Sequence, residues 1–357
     1  MALPTQVSSS DRPTGRLGEP VASRRSPASS GPPGVVRVAA VVDGALRQAD
    51  GDEALRRLKE WLHRPDPSVW VDLAGPSPAQ VDAVGDLLGL HPLIIEDVLE
   101  GNQRAKIETT DGLVHMVLFA LDRAEHVAVN EIDLVLGAGY LLSVHDPGWD
   151  PRRSHHLADE AALGAIMARG ADHLLWAIGD DIVDGYFPYA DQLGDAIDAV
   201  QDAVIAKATP DTLQSLFALK RELIEVRRAA GPTREVFNQL TNRDIALIDP
   251  EELVYFRDVY DHVIRLTDEM DNYRELASST LDVYLTQVNN NLSVIMKRLT
   301  GVTVILAGIG AIAGIFGMSE ASTALGGGEG GGFWLVTSAT AVLAVVAVSV
   351  LRRIGWI

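Results

Sequence analysis

The sequence predicts an α+β domain built on a mixed sheet, followed by a long stalk helix and a two-helix transmembrane hairpin. Three observations carry that prediction. Strand-like runs alternate with helical patterns from residue 35 to 185, and no proline occurs after Pro250. Two stretches, 299–318 and 333–351, hold 20 and 19 residues without a charge, each enough to cross a hydrocarbon core about 30 Å thick.

Composition sets the outer limits. At 357 residues the chain exceeds the roughly 250–300 residues at which single cores stop growing, so more than one structural unit is expected. Cysteine is absent, which excludes disulfides and thiolate metal sites and leaves oxygen or imidazole as metal ligands. The net charge of −19 argues against a nucleic-acid partner, because phosphate binding needs a basic surface. It suits a chain that handles cations.

Residues 1–34 hold six Pro, seven Ser and four Gly and too little apolar surface to offset the entropy of ordering, so a disordered tail is expected. Arg12, Arg16, Arg24 and Arg25 make it basic, but no apolar stretch follows as in a secretory signal. The N-terminus is therefore expected in the cytoplasm. Residues 35–185 form the cytoplasmic α/β domain, with strand runs at 35–42, 69–73 and 114–121 and helical patterns near 52–62 and 78–89. The run 132–136, then Gly137-Ala138-Gly139, then 140–144 predicts a β-hairpin, so part of the sheet must be antiparallel. A purely parallel sheet is thereby disfavoured.

Residues 186–298 form the cytoplasmic helical stalk. Two helices meet near Thr209-Pro210, Pro232 and Pro250 punctuate the chain, and helix-forming residues then continue to about Gly317. That is roughly 100 Å of helix at 1.5 Å per residue. Phe256, Val259, Val263, Leu266, Met270, Tyr273, Ala277, Leu281, Tyr284 and Val288 recur at steps of three and four, the spacing of a packing seam. The spacing fits equally a helix packed within its own subunit and one bundled with copies of itself.

Lys297 and Arg298 precede the first span, Arg352 and Arg353 follow the second, and 319–332 contains no Lys or Arg. By the positive-inside rule the loop 319–332 is external, and the basic C-terminus 352–357 is cytoplasmic with the N-terminus. A multi-pass protein of the inner (plasma) membrane is expected. Ala307, Gly308, Gly310, Ala311 and Gly314 allow close approach of helix backbones in the first span. Two spans cannot enclose a polar path alone, so any conduit must form between subunits.

Three motifs stand out: His91-Pro92-Leu93-Ile94-Ile95-Glu96-Asp97-Val98-Leu99 with Gln103-Arg104-Ala105-Lys106-Ile107-Glu108, then Tyr255-Phe256-Arg257-Asp258-Val259-Tyr260-Asp261-His262, then Met296-Lys297-Arg298-Leu299-Thr300. From about residue 35 to the end the chain resembles the CorA magnesium-transporter family. The first motif is similar to a signature of its cytoplasmic domain, the second to its stalk helix and the third to the approach to its membrane span. The resemblance implies a homopentameric transporter rather than an enzyme, with first spans lining the pore (299–318) and second spans (333–351) outside. Its partners are the lipid bilayer and divalent cations, Mg2+ being both transported and regulatory ion, with Co2+ or Ni2+ as further cargo. No organic cofactor is expected.

The family's Gly-Met-Asn mouth motif falls on Gly317, Met318 and Ser319, so serine replaces asparagine where the hydrated ion is met. Gly308 stands where the family has proline, and Glu320 and Glu329 are the acidic residues left in the outer loop to attract cations. This departure keeps open a ZntB-like zinc transporter and a non-conducting, membrane-anchored metal sensor. Asp97 and Asp258 match family positions that meet across subunits around a regulatory ion, and Glu96 and Asp282 are further candidates of that kind. Ser293, Met296, Leu299, Thr303, Ala307, Gly310 and Gly314 fall on one helical stripe, the expected pore lining, with Met296 and Leu299 as an apolar constriction. His155 and His156, adjacent and read as helical, point apart and receive no role.

Overall fold

The computed structural model describes residues 34–65, 67–101, 103–123, 127–317 and 331–356. They divide into two compact units, one of residues up to 193 with 221–272, the other of 194–220 with 273 onward. In the first unit the described residues include a seven-stranded sheet: β1 (Val35–Val42), β2 (Ala45–Asp50), β3 (Val69–Ala74), β4 (Lys106–Thr110), β5 (Leu113–Arg123), β6 (Val127–Gly137) and β7 (Tyr140–His145). The spatial order is β2-β1-β3-β7-β6-β5-β4. Only β3 and β7 pair in parallel, and every other neighbouring pair is antiparallel. The sheet is thus mixed, as the hairpin requires.

That hairpin joins β6 to β7 through Ala138 and Gly139, with Gly137 paired to Tyr140. Its loop is one residue shorter than the sequence suggests. Gly139 has φ +76°, and a Cβ there would lie 2.4 Å from the Pro67 carbonyl oxygen, so only glycine fits.

Helices α1 (Gly51–Leu62), α2 (Pro78–Leu88) and α3 (Pro92–Glu100) cover one face of the sheet. Ala54, Leu58, Val84, Ile94 and Val98 from these helices pack with Val38, Val71, Leu142 and Val144 in one apolar cluster. Helices α4 (Glu160–Met167) and α5 (Ala171–Asp184) contact the strands without joining that cluster, and so cover the opposite face. With both faces covered, β3 and β7 are buried along their whole length, and their polar residues must find partners inside. They do so with one another. Trp70 Nε1 donates to Ser143 Oγ at 2.9 Å, Ser143 Oγ donates to Asp72 Oδ1 at 2.7 Å, and His145 Nε2 lies 3.1 Å from the same oxygen.

Helices α6 (Phe187–Ala206) and α7 (Pro210–Asn242) meet at Thr209-Pro210, as expected. Pro232, however, does not end a helix: α7 continues through it to Asn242. Gly231 has no Cβ to clash with the following proline ring, and Thr233 Oγ1 donates to the Ala229 carbonyl at 2.9 Å. Pro250 lies in a turn, and α8 begins at Leu253 and runs 65 residues to Gly317.

Much of the seam on α8 packs within the chain. Phe256, Val259, Val263, Leu266 and Met270 are buried in the first unit, and Ala277 and Tyr284 in the second, while Tyr273, Leu281 and Val288 are half-buried. Beyond Tyr284 the pattern changes. Leu285, Leu292, Met296 and Leu299 are exposed, and the stretch of α8 long and apolar enough to cross a membrane is only 6% buried. α9 (Gly331–Arg353) is the final helix, with Arg352 and Arg353 in its last turn.

Candidate cation-binding sites

Helix α3 begins with Pro92 in its first turn and with His91 Nδ1 accepting from the Leu93 N–H at 3.2 Å. That start fixes the helix so that Ile94 and Val98 point into the core, which leaves Asp97 at the boundary between core and solvent. Its Oδ2 lies 2.6 Å from Lys106 Nζ, and Gln103 Nε2 approaches Oδ1 at 3.4 Å. Lys106 also reaches Glu108 Oε2 at 3.1 Å. Partial burial works against the ammonium, but hydrogen bonds to Asp97 and Glu108 outweigh it and raise the lysine above its ordinary value. In the single chain, then, a lysine supplies the cation at Asp97. Glu96, the preceding residue, is exposed.

A second cluster forms between α5 and α8, within the first unit. Asp180 and Asp184 stand one turn apart on α5, Asp258 and His262 one turn apart on α8, and ligand atoms of Asp180, Asp184 and His262 all lie within 4.8 Å of one another. His262 Nδ1 is 3.4 Å from Asp184, and its Nε2 is 3.8 Å from Asp258, whose side chain is 72% exposed. Asp180 is buried with Oδ1 lacking a hydrogen-bond partner. Burial first, and the neighbouring Asp184 second, push its carboxyl up to about 6.

Two carboxylates facing an imidazole, one of them buried without a full set of donors, is an arrangement that a bound cation would stabilise. Sequence reasoning missed Asp180, Asp184 and His262, although the spacings Asp180-x-x-x-Asp184 and Asp258-x-x-x-His262 place each pair on one helical face. His156 also departs from expectation. It lies in a turn rather than a helix, its Nδ1 is 2.8 Å from Asp181 and its Nε2 3.7 Å from Asp180. The Asp181 hydrogen bond, opposed by burial, raises the imidazole above its ordinary value.

These shifts predict a pH dependence. Asp180, raised from 3.8 to about 6, holds its proton more tightly in the folded chain than in the unfolded one. Its contribution to stability therefore falls as pH rises from the unfolded value through the folded one. His156, also raised, contributes stability that is lost as pH rises through its folded value. In metal-free buffer the thermal midpoint is expected to fall between about pH 4 and pH 6, and Asp180→Asn should flatten that fall while leaving the histidine-linked part above it. Thermal melts of both proteins across this range decide the matter: an equal slope in the variant sinks the assignment.

The expected pore stripe lies on the exposed part of α8. Ser293, Met296, Leu299, Thr303, Ala307, Gly310 and Gly314 are all exposed, as is Asp282 further back. Ser293 and Thr303 turn their hydroxyls to the carbonyls of Asn289 and Leu299 four residues earlier. At Gly310 and Gly314 an added Cβ would meet nothing within 4 Å, so this face is free to approach another helix. Gly317 is the last residue of α8. Met318, Ser319, Glu320 and Glu329 lie outside the described residues.

Residues 66–353 match the family described as CorA-like Mg2+ transporter protein. The cobalt/magnesium transport protein CorA of Thermotoga maritima is 33% identical over 296 residues, covering 81% of this chain and 83% of that protein. The complete structure of the CorA magnesium transporter from Methanocaldococcus jannaschii superposes with a TM-score of 0.72 at 20% identity, over 90% of this chain and 98% of that one. The ZntB cytoplasmic domain from Vibrio parahaemolyticus gives a TM-score of 0.56 at 12% identity, over 72% of this chain and 99% of that domain. At such identities these two likenesses speak for the fold alone.

Proposed function

The chain belongs to the family of CorA-like Mg2+ transporter proteins, transporters rather than enzymes, and from that premise we propose that it conducts Mg2+, with Co2+ or Ni2+ as further cargo, through a homopentameric pore in the plasma membrane. The observation that carries this reading is that the family match runs from residue 66 to 353, taking in Asp97, the α5–α8 cluster and both apolar helices. An anchored sensor domain alone would not need the small and apolar stripe of α8, which is left exposed in the single chain.

In this reading α8 and α9 span the bilayer, the chain between them is outside, and five copies of α8 line the path. Hydrated Mg2+ sheds water reluctantly, so the mouth meets it through its water shell, at Gly317, Met318 and Ser319, with Glu320 and Glu329 attracting it. Asp97 and Asp258 hold a regulatory ion between subunits, with Glu96 and Asp282 as further candidates of that kind. Loss of that ion at low cytosolic Mg2+ shifts the ring toward an open state.

The test is flux from liposomes containing the purified chain, measured separately for Mg2+, Co2+, Ni2+ and Zn2+. Mg2+ and Co2+ flux is expected. Zn2+ flux without Mg2+ flux supports the zinc transporter that serine at position 319 leaves open, and no flux of any ion supports the sensor. A mass in detergent of one or two chains overturns the pore, because two spans per chain cannot then enclose it.

A further inference from the structure

His115 on β5 is 1% exposed, and its Nε2 lies 2.9 Å from Oδ1 of Asp133, a fully buried carboxylate on β6. With Asp133 as the acceptor Nε2 is the donor, and in the neutral imidazole Nδ1 then presents a lone pair. That Nδ1 is buried and has no hydrogen-bond partner. The β4–β5 register sets His115 directly opposite Glu108, and α3 brings Asp97 to the same place. One ligand atom from each of Asp97, Glu108 and His115 lies within 4.8 Å of the other two.

A ligating histidine that gives its other N–H to a carboxylate is the arrangement that fixes tautomer and ring orientation at metal centres. Lys106 joins Asp97 at 2.6 Å and Glu108 at 3.1 Å, so a tethered monovalent cation already bridges two of the three ligands. Its ammonium can satisfy carboxylates but leaves the imidazole lone pair unused. A divalent ion with affinity for nitrogen would use all three.

We propose that Asp97, Glu108 and His115 form an intrachain site for a divalent ion of the Co2+, Ni2+ or Zn2+ type, that Lys106 swings out when the ion binds, and that Asp133 is the positioning residue for His115. The ligand set selects against Mg2+, which prefers an all-oxygen shell with several waters. The site differs from the inter-subunit regulatory reading in needing one chain only, although both use Asp97. Binding here would take Asp97 away from its role between subunits, and so let a transition metal act on the same surface that Mg2+ governs.

The experiment is a Co2+ titration of the full-length chain in detergent under excess Mg2+, followed by calorimetry and by the visible absorption of bound Co2+. A His262→Ala background removes the imidazole of the α5–α8 cluster. One Co2+ per chain is expected to remain bound against Mg2+. Glu108 is exposed, so Glu108→Gln should fold normally and weaken Co2+ at least about tenfold, Asp133→Asn should weaken it about 10- to 100-fold, and Lys106→Met should tighten it. His115→Phe should abolish the imidazole signature in the spectrum; because it strands Asp133, Glu108→Gln carries the test if that variant fails to fold. Asp258→Ala should leave Co2+ binding intact even where it abolishes Mg2+ regulation, which separates the two sites. Full displacement of Co2+ by Mg2+, or equal affinity in Glu108→Gln and Lys106→Met, overturns the proposal.

Discussion

Replacing Leu299 by Asn is expected to keep divalent flux running at Mg2+ concentrations that close the parent protein. Met296 and Leu299 are 65% and 63% exposed on α8, one turn apart and directly beside Lys297 and Arg298, where the helix passes from its charged to its uncharged part. Around a fivefold axis they would give stacked apolar rings. Such a constriction stops ions by expelling water, since a hydrated cation has no hydrogen-bonding surface to travel along. A carboxamide at five symmetric positions supplies that surface without adding charge. If the dry ring contributes about 3 kcal/mol to the closed-state barrier, its loss raises the leak by about a hundredfold. Stopped-flow flux from liposomes at saturating internal Mg2+ reads this directly, and an unchanged closed-state leak would place the constriction elsewhere on α8.

How much of this was legible in the sequence depended on whether a signal was periodic or contextual. β1, the β6–β7 hairpin and the length of α8 follow from local pattern and appear nearly where the pattern puts them. β2 and β4 did not announce themselves, because they are the two edges of the sheet and carry polar, exposed residues such as Arg47, Gln48, Glu108 and Thr109. Edge strands are kept polar to discourage pairing with other chains, which removes the alternation by which strands are recognised. Their signal lay in the turns. Asp43-Gly44 and Asp111-Gly112 both have positive φ, from 51° to 78°, as the tight hairpin turn needs. Pro232 misled for the opposite reason, since a local breaking tendency yields to a helix anchored on both sides by buried residues, Val226, Ala229 and Ala230 before it and Val236, Phe237 and Leu240 after it.

The candidate sites divide in the same way. Asp97 and Asp258 could be found by motif and Asp180, Asp184 and His262 by helical spacing, but the environment of each could not. The contact of Lys106 with Asp97 joins a strand to a helix, and that of His115 with Asp133 joins neighbouring strands through their register. Both depend on which face the residue occupies, and a shift of one residue in register would turn each side chain to the other face.

Removing either Asp97 or Asp258 is expected to abolish the protection that Mg2+ gives the chain against proteolysis. The two carboxylates start from different situations. Asp258 is largely exposed, with His262 at 3.8 Å, so Asp258→Ala removes a ligand with little effect on the fold of the chain. Asp97 is held by Lys106 at 2.6 Å, so a regulatory ion must compete with an ammonium already in place, and Asp97→Ala leaves that ammonium to Glu108. In both variants the assembled state loses the ion that binds it and not the separated chains. An ion at a hundredfold excess over its dissociation constant stabilises the state it binds by about 2.7 kcal/mol, repeated at each interface of the ring. Limited proteolysis with and without Mg2+ should show a large difference for the parent and none for either variant. Equal protection in all three would return both residues to the role of solvated surface carboxylates, and would leave the buried Asp180, with its unpartnered oxygen and raised proton affinity, as the place to look for the ion.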